Sequence, residues 1–364
     1  VISWDVRRAI AEVVAEAGGV KARGAVDPGL RPDGTPGRYT SSVAFELAKT
    51  GDHDAEGIAA DLARRLGTRE WIAKAEATGA GFITIAVTAE TLTRLPRRID
   101  EAGFDCVRSD ALAGQVFAAP PAVSWETAAT WEKARETLAA ELTARLACAA
   151  GAAVEWMGKR ADGTGDATPR SGEKGAEDEN DGEGEDDGDG GKGRAGVKGG
   201  EVAAGVAFAG GDAVRFALAR AVPGNLTEID PAKIARHLPG NPAYAVRYAH
   251  ARAASGVRWA AAVGTGEASP QRMSADPGDM ALFDALSWLP ERVATAARRG
   301  RPDEFARYLE NVADLTLAAL ASPERSRPAS ARAPGSARLA LARAARTGLA
   351  AGLALLGISA PDRL

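Results

Sequence analysis

The chain is poor in the residues that carry chemistry or staple small folds. Across 364 residues there are two cysteines, Cys106 and Cys148, and three histidines, at positions 53, 237 and 250. The cysteines lie far apart in no CxxC or mixed Cys/His spacing, which excludes a zinc ribbon or a disulfide framework. With no leader-like segment read, this predicts a reducing, cytoplasmic setting. HExxH, GxSxG and a phosphate loop ending in GK[ST] are all missing from the sequence. No catalytic residue, no metal ligand and no cofactor is therefore assigned. The most apolar stretch near the end, LAAGLALLGISA (349–360), is too short to span a bilayer, so no membrane segment is expected. Aromatics make up only 5% of the chain while apolar residues reach 45%, a balance that favours alanine-rich helices packed through small side chains.

The length fits two or three domains, and the charge is unevenly spread among them. Residues 1–158 hold 18 Lys+Arg against 22 Asp+Glu, residues 159–200 hold 7 against 12, and residues 201–364 hold 20 against 15. A basic last third behind an acidic insert permits a polyanionic partner.

Periodicity divides the chain into four parts. Residues 1–105 read as a small α+β domain. SWDVRRAIAEVVAEAG (3–18) predicts a helix with Ser3 as N-cap, and WIAKAEATGAGFITIAVT (71–88) a hairpin about its Gly-Ala-Gly turn. Pro96 is expected to break or kink the helix that follows. Residues 106–157 are expected to be mostly helical, with one long helix from Ser124. Residues 158–200 have no aromatic and almost no large aliphatic residue, and so are expected to be a disordered acidic, glycine-rich linker. Residues 201–364 predict a bundle of five or six helices, interrupted by loops at 264–279 and 322–336. The fold class is thus mainly α with a small α+β N-terminal domain.

One helix in the last part stands out. NPAYAVRYAHAR (241–252) starts with a good cap, Asn241, and a proline suited to the first helical position. Tyr244, Tyr248 and Ser255 then share a stripe, with Arg247, His250 and Ala254 beside it. Tyrosine rings can carry unstacked bases and arginines can hold phosphates. The same pattern is also that of an ordinary packed helix face.

This stretch resembles the anticodon-binding (DALR-type) domain of arginyl-tRNA synthetases, where an Asn-Pro-x-Tyr…Tyr-Ala-His-Ala-Arg helix recurs. GDAVRFALAR (211–220) is similar to the segment leading into that domain, and ARLALARAARTGLAAGLALLGISAPDRL to its closing helix and C-terminus. GRYTSSVAFELAK followed by ATGAGFITIAVT is similar to the N-terminal additional domain, which contacts the tRNA elbow. The resemblance covers roughly residues 1–105 and 205–364 and implies a helical bundle of the class I synthetase anticodon-binding type. It implies tRNA as partner, tRNA-Arg being the candidate. The RNA-binding residues it implies are Asn241, Tyr244, Arg247, Tyr248 and Arg252, with Arg38 and Tyr39 at the elbow. His250 is assigned either to RNA or to an internal hydrogen bond.

Between the two ends the family pattern fails. The His-x-Gly-His signature and the Lys-Met-Ser-Lys-type loop are missing, so 106–157 reads as a vestige of the catalytic domain's first unit. The usual acid and asparagine after Gly37 are replaced in Arg38-Tyr39-Thr40-Ser41-Ser42, and a glutamine and a tyrosine of the helix are replaced by Arg247 and Ala245. These changes bear on base-specific reading more than on phosphate contact. Three functions are compatible with the sequence: a non-catalytic tRNA-binding paralogue, a protein-docking module on the same fold, and, remotely, a ligase whose ATP site a partner completes.

Overall fold

The computed structural model describes residues 2–17, 27–49, 54–119, 124–156, 200–224, 229–262, 277–321 and 336–364. The expected acidic linker lies outside the described residues except for Gly200, as do residues 264–276 and 322–335 of the two expected loops.

The N-terminal part contains α1 (Ile2–Glu16), β1 (Arg31–Pro32), β2 (Arg38–Ser41), α2 (Val43–Ala48), α3 (Ala55–Leu66), β3 (Ile72–Thr78), β4 (Phe82–Val87) and α4 (Ala89–Ala102). Its four strands form an antiparallel sheet in the order β1-β2-β4-β3. Apolar residues at alternate positions set the register: Tyr39 lies opposite Ile85 and Ser41 opposite Ile83, all four fully buried. Gly37 turns the chain into β2 with φ +76°, a backbone conformation that favours glycine.

Two local expectations are corrected here. Ser3 lies inside α1 rather than capping it, and its hydroxyl donates 2.7 Å to the Ser287 carbonyl. Pro96 sits within α4 without ending it. Leu92, Leu95, Pro96 and Ile99 are all buried, and that packing offsets the one missing backbone hydrogen bond.

The middle part is not one long helix. Ser124 caps a single 3-10 turn, and α5 (Trp131–Ala149) starts from its own cap, Thr130. The helix joins two strands, β5 (Val116–Ala119) and β6 (Ala153–Trp156), which pair in parallel. Parallel neighbours require such a crossover, so this is a βαβ unit. Short apolar strands flanking a helix carry little periodic signal, which is why they read as helix. The unit is tied to the bundle by Arg215, which reaches Glu141 of α5 at 2.5 Å and the Leu356 carbonyl at 2.5 Å.

From Glu201 onward the described residues contain α6 (Glu201–Ala209), α7 (Gly211–Arg220), α8 (Pro231–Ile234), α9 (Pro242–Ala262), α10 (Pro277–Ser287), α11 (Leu289–Arg299), α12 (Pro302–Ala321) and α13 (Ser336–Leu355). These exceed the expected five or six because Gly210, at φ +86°, separates α6 from α7, and Trp288 with Pro290 separates α10 from α11. Helix α9 packs on α12 and α13, and the chain end folds back across it.

The N-terminal part and the bundle share one continuous core. At the joint, Arg7 makes a two-pronged pair with Glu291 at 2.8 and 2.6 Å, both side chains being buried. Asp27 bridges Arg7 and Arg298 at 3.0 Å each. Burial alone would raise the Asp27 carboxyl, but the two guanidinium groups outweigh it and hold the group below its ordinary range.

Candidate nucleic-acid interface

Helix α9 is long because its composition allows it. Alanine fills most of its inner face, with Ala243, Val246, Ala249, Ala253, Ala254 and Ala260 buried against α12 and α13. Small residues there let three helices approach closely. The larger side chains are thereby turned to the opposite face, and that face is the candidate site.

Three rings stack along it. His237, on the turn before the helix, lies 5.2 Å from Tyr244 with the planes 13° apart, and Tyr244 lies 5.6 Å from Tyr248 with the planes 15° apart. Tyr248 is 38% exposed, and its stripe continues to Trp259 at 48%. Tyr248, Arg252, Ser255 and Trp259 follow at spacings of four, three and four, which keeps them on one side of a helix. Leu238, 53% exposed, flanks the first ring. The face therefore offers an aromatic stack open at Tyr248, with Arg252 one turn further on. Such a face can receive an unpaired base by stacking and a phosphate by charge.

The residues expected from the sequence separate into two groups. Tyr244, Tyr248 and Arg252 come together on this outer face. Asn241, Arg247 and His250 are drawn inward instead. Asn241 is buried, and its amide nitrogen donates to the carbonyls of Ile234 at 2.6 Å and Arg236 at 2.7 Å. It fixes the turn that carries His237, so its part in RNA contact is indirect at most. Arg247 points to the start of α7 and the chain end, 3.2 Å from Ser359 Oγ and 3.4 Å from Asp212. That network engages one nitrogen of its guanidinium and draws the side chain away from the ring stack. His250 is 2% exposed, with Nδ1 3.1 Å from the Pro361 carbonyl. Burial holds its pKa below the ordinary value, against the pull of that carbonyl and Asp362.

At the other end of the molecule the elbow pair is divided as well. Arg38 is exposed but paired with Asp33 at 3.1 Å. Tyr39 has no exposed surface. Its ring packs 5.2 Å from that of Trp288, and its hydroxyl donates to Ser287 Oγ at 3.3 Å. A tyrosine sealed in the joint between two domains cannot touch an RNA, so its assignment to the elbow is withdrawn.

Two contributors escaped the sequence reading. Trp259 was detectable, since it lies four residues beyond Ser255 on the same stripe. His237 sits in a turn outside any period, and only the Asn241 bonds explain its position. Among the described residues no group of three or more His, Cys, Asp or Glu is placed to hold a metal ion. No single described helix is long and apolar enough to cross a membrane.

Comparison with known proteins places this face in context. Residues 5–87 match the family model described as the arginyl tRNA synthetase N terminal domain, and residues 246–364 match the DALR anticodon binding domain. The arginine–tRNA ligase of Bifidobacterium longum (strain NCC 2705) is 35% identical over 189 residues, covering 44% of this chain and 29% of that protein. That of Frankia alni is 34% identical over 165 residues, covering 43% and 29%. The chain thus matches less than a third of the length of these curated relatives. Among solved structures, the Thermus thermophilus arginyl-tRNA synthetase aligns over 99% of both chains with a TM-score of 0.63 and 17% sequence identity, a likeness of fold.

Proposed function

We propose that this chain, in which an arginyl-tRNA synthetase N-terminal domain and a DALR anticodon-binding domain are joined in one molecule, binds tRNA without charging it. The observation that carries the reading is the open ring stack on α9, in which Tyr248 is exposed while every neighbouring inner position is buried. The anticodon loop is the part of a tRNA whose bases are unstacked, and a sequence-tolerant aromatic platform suits it. Arg252 supplies charge beside the platform, and Arg38 supplies an exposed cation on the N-terminal part. The candidate partner is tRNA-Arg.

The non-catalytic half of the proposal rests on what lies between the two matched domains. The only strands described there, β5 and β6, belong to one βαβ unit, and the other described elements are helices and short helical turns. The sequence offers neither of the two nucleotide-handling motifs, and no histidine between residues 118 and 146. Adenylate chemistry needs positioned donors around a triphosphate, and the absence of both signatures from this sequence supports the non-catalytic reading.

A second reading, docking on a protein, is favoured by bare apolar side chains on α6 and β5. Phe208 is 67% exposed and Val116 61%. Salt separates the two, because phosphate contacts weaken steeply with ionic strength and apolar contacts do not.

The test is titration of the full chain with tRNA-Arg and with an unrelated tRNA at two salt concentrations, alongside a Tyr248→Ala, Arg252→Ala variant. Removing one stacked base and one cation is expected to cost about 1–3 kcal/mol or more in affinity, and salt is expected to weaken the wild type more than the variant. Wild-type binding no tighter than that of an acidic control protein sinks the proposal.

A further inference from the structure

Of the tryptophans whose side chains are described, Trp259 is the exposed one, with 48% of its surface open in the last turn of α9. It lies eleven residues beyond Tyr248. At 3.6 residues per turn, eleven residues complete three turns and about 20° more, and they advance about 16.5 Å along the axis. The two side chains therefore leave the helix on nearly one meridian. Arg252 and Ser255 stand between them on the same stripe, both only partly covered.

The ring stack has a direction. Its centres progress from His237 through Tyr244 to Tyr248. The step from Tyr244 to Tyr248 is 5.6 Å, close to the rise of about 6 Å that four residues make along a helix. The stack thus advances along the axis, and a base added at its open end lies on the Trp259 side of Tyr248. At about 3.4 Å per nucleotide, about four stacked bases fill the interval between the two rings. Arg252 sits beside the first of them, where its guanidinium can hold the connecting phosphate. At the far end the Trp259 indole presents an aromatic face to whichever base arrives, since every base has a face that stacks.

We propose that Trp259 is a second base platform, and that α9 holds a continuous stacked run of about four unpaired nucleotides between it and Tyr248. The proposal rests on the reading of α9 as an RNA face and adds a length to it. An RNA whose unpaired stretch is too short to span the stripe meets one ring only. One whose unpaired stretch is long enough meets both, and each ring then contributes to affinity.

The experiment titrates the full chain with tRNA-Arg and with two RNA hairpins, whose loops have about four and about ten unpaired nucleotides. The variants are Trp259→Leu, which removes the ring and keeps an apolar side chain, Trp259→Phe, which keeps a ring, Tyr248→Ala and Arg252→Ala. Trp259→Leu is expected to weaken the long-loop hairpin and the tRNA at least about fivefold and to leave the short-loop hairpin unchanged. Trp259→Phe is expected to recover most of that loss. The salt dependence of Trp259→Leu should match the wild type, whereas that of Arg252→Ala should be shallower by about one phosphate contact. Trp259→Leu binding the long loop as tightly as the wild type, or weakening both hairpins alike, overturns the proposal. If Tyr248→Ala weakens binding in that case, the RNA face stands and only the second platform falls. If the wild type binds neither hairpin nor tRNA, both fall together.

Discussion

Tyr39 has no solvent exposure in the joint between the sheet and the bundle, whereas Tyr248 is 38% exposed on the outer face of α9. Both stand beside an arginine in sequence, and both belong to stretches that resemble RNA-contacting parts of the same family. What separates them is the element each lies in. On β2 the alternation of side chains sends Arg38 outward and Tyr39 inward. On α9 an alanine-rich inner face lets the tyrosines take the outer one. The same residue type is a domain joint in one place and an open platform in the other.

The largest effects break this comparison directly. Tyr39→Ala should cost about 3–5 kcal/mol of stability, since it empties a fully enclosed aromatic site against Trp288. Tyr248→Ala should stay within about 0.5 kcal/mol, as exposed substitutions do. Tyr39→Phe, which keeps the ring, should lose only the Ser287 hydrogen bond, about 1 kcal/mol. Urea denaturation of the three variants measures this, and equal losses at the two tyrosines would refute the assignment of a joint and a platform.

A comparable loss is expected at the charged half of the joint. Arg7→Met leaves Glu291 buried and unpaired, at a cost of about 3–5 kcal/mol. Adding Glu291→Leu should recover most of it, because the charge that lacked a partner is then gone. If the double variant stays as unstable as the single one, the pair contributes through its geometry between the two parts and not through charge compensation.

These contrasts also show where sequence reasoning reached and where it stopped. The hairpin at residues 72–87 was legible because alternation and a glycine turn coincide there. The helices of the last third were legible from their period, though their divisions at Gly210 and Trp288 were not. The strands of the middle part were hidden because four-residue apolar runs fit either structure. The stripe of Tyr244 and Tyr248 was legible from spacing, but not which of the polar residues beside it turn inward. Tyr244, Tyr248 and Arg252 lie together, while Arg247 and His250 turn inward to a chain end more than a hundred residues away. No local pattern reports a partner at that distance.

The smallest effect sharpens the comparison within α9 itself, two residues beyond Tyr248. His250 is buried, and burial lowers its pKa in the folded chain. The unfolded chain therefore binds the proton more readily, so the contribution of His250 to stability is full above its ordinary value of about 6.5 and declines as the pH falls toward the folded-state value. One proton limits that decline to about 1.4 kcal/mol per pH unit. His250→Gln should be less stable at pH 7.5 because the bond to Pro361 is disturbed. Its stability should also fall less steeply than that of the wild type between about pH 6.5 and 5.5. The two other histidines remain in both proteins, so the difference between the two slopes isolates this one. Equal slopes would mean that His250 titrates in the folded chain as it does in the unfolded one, and the inner face of α9 would then be as open to solvent as the outer.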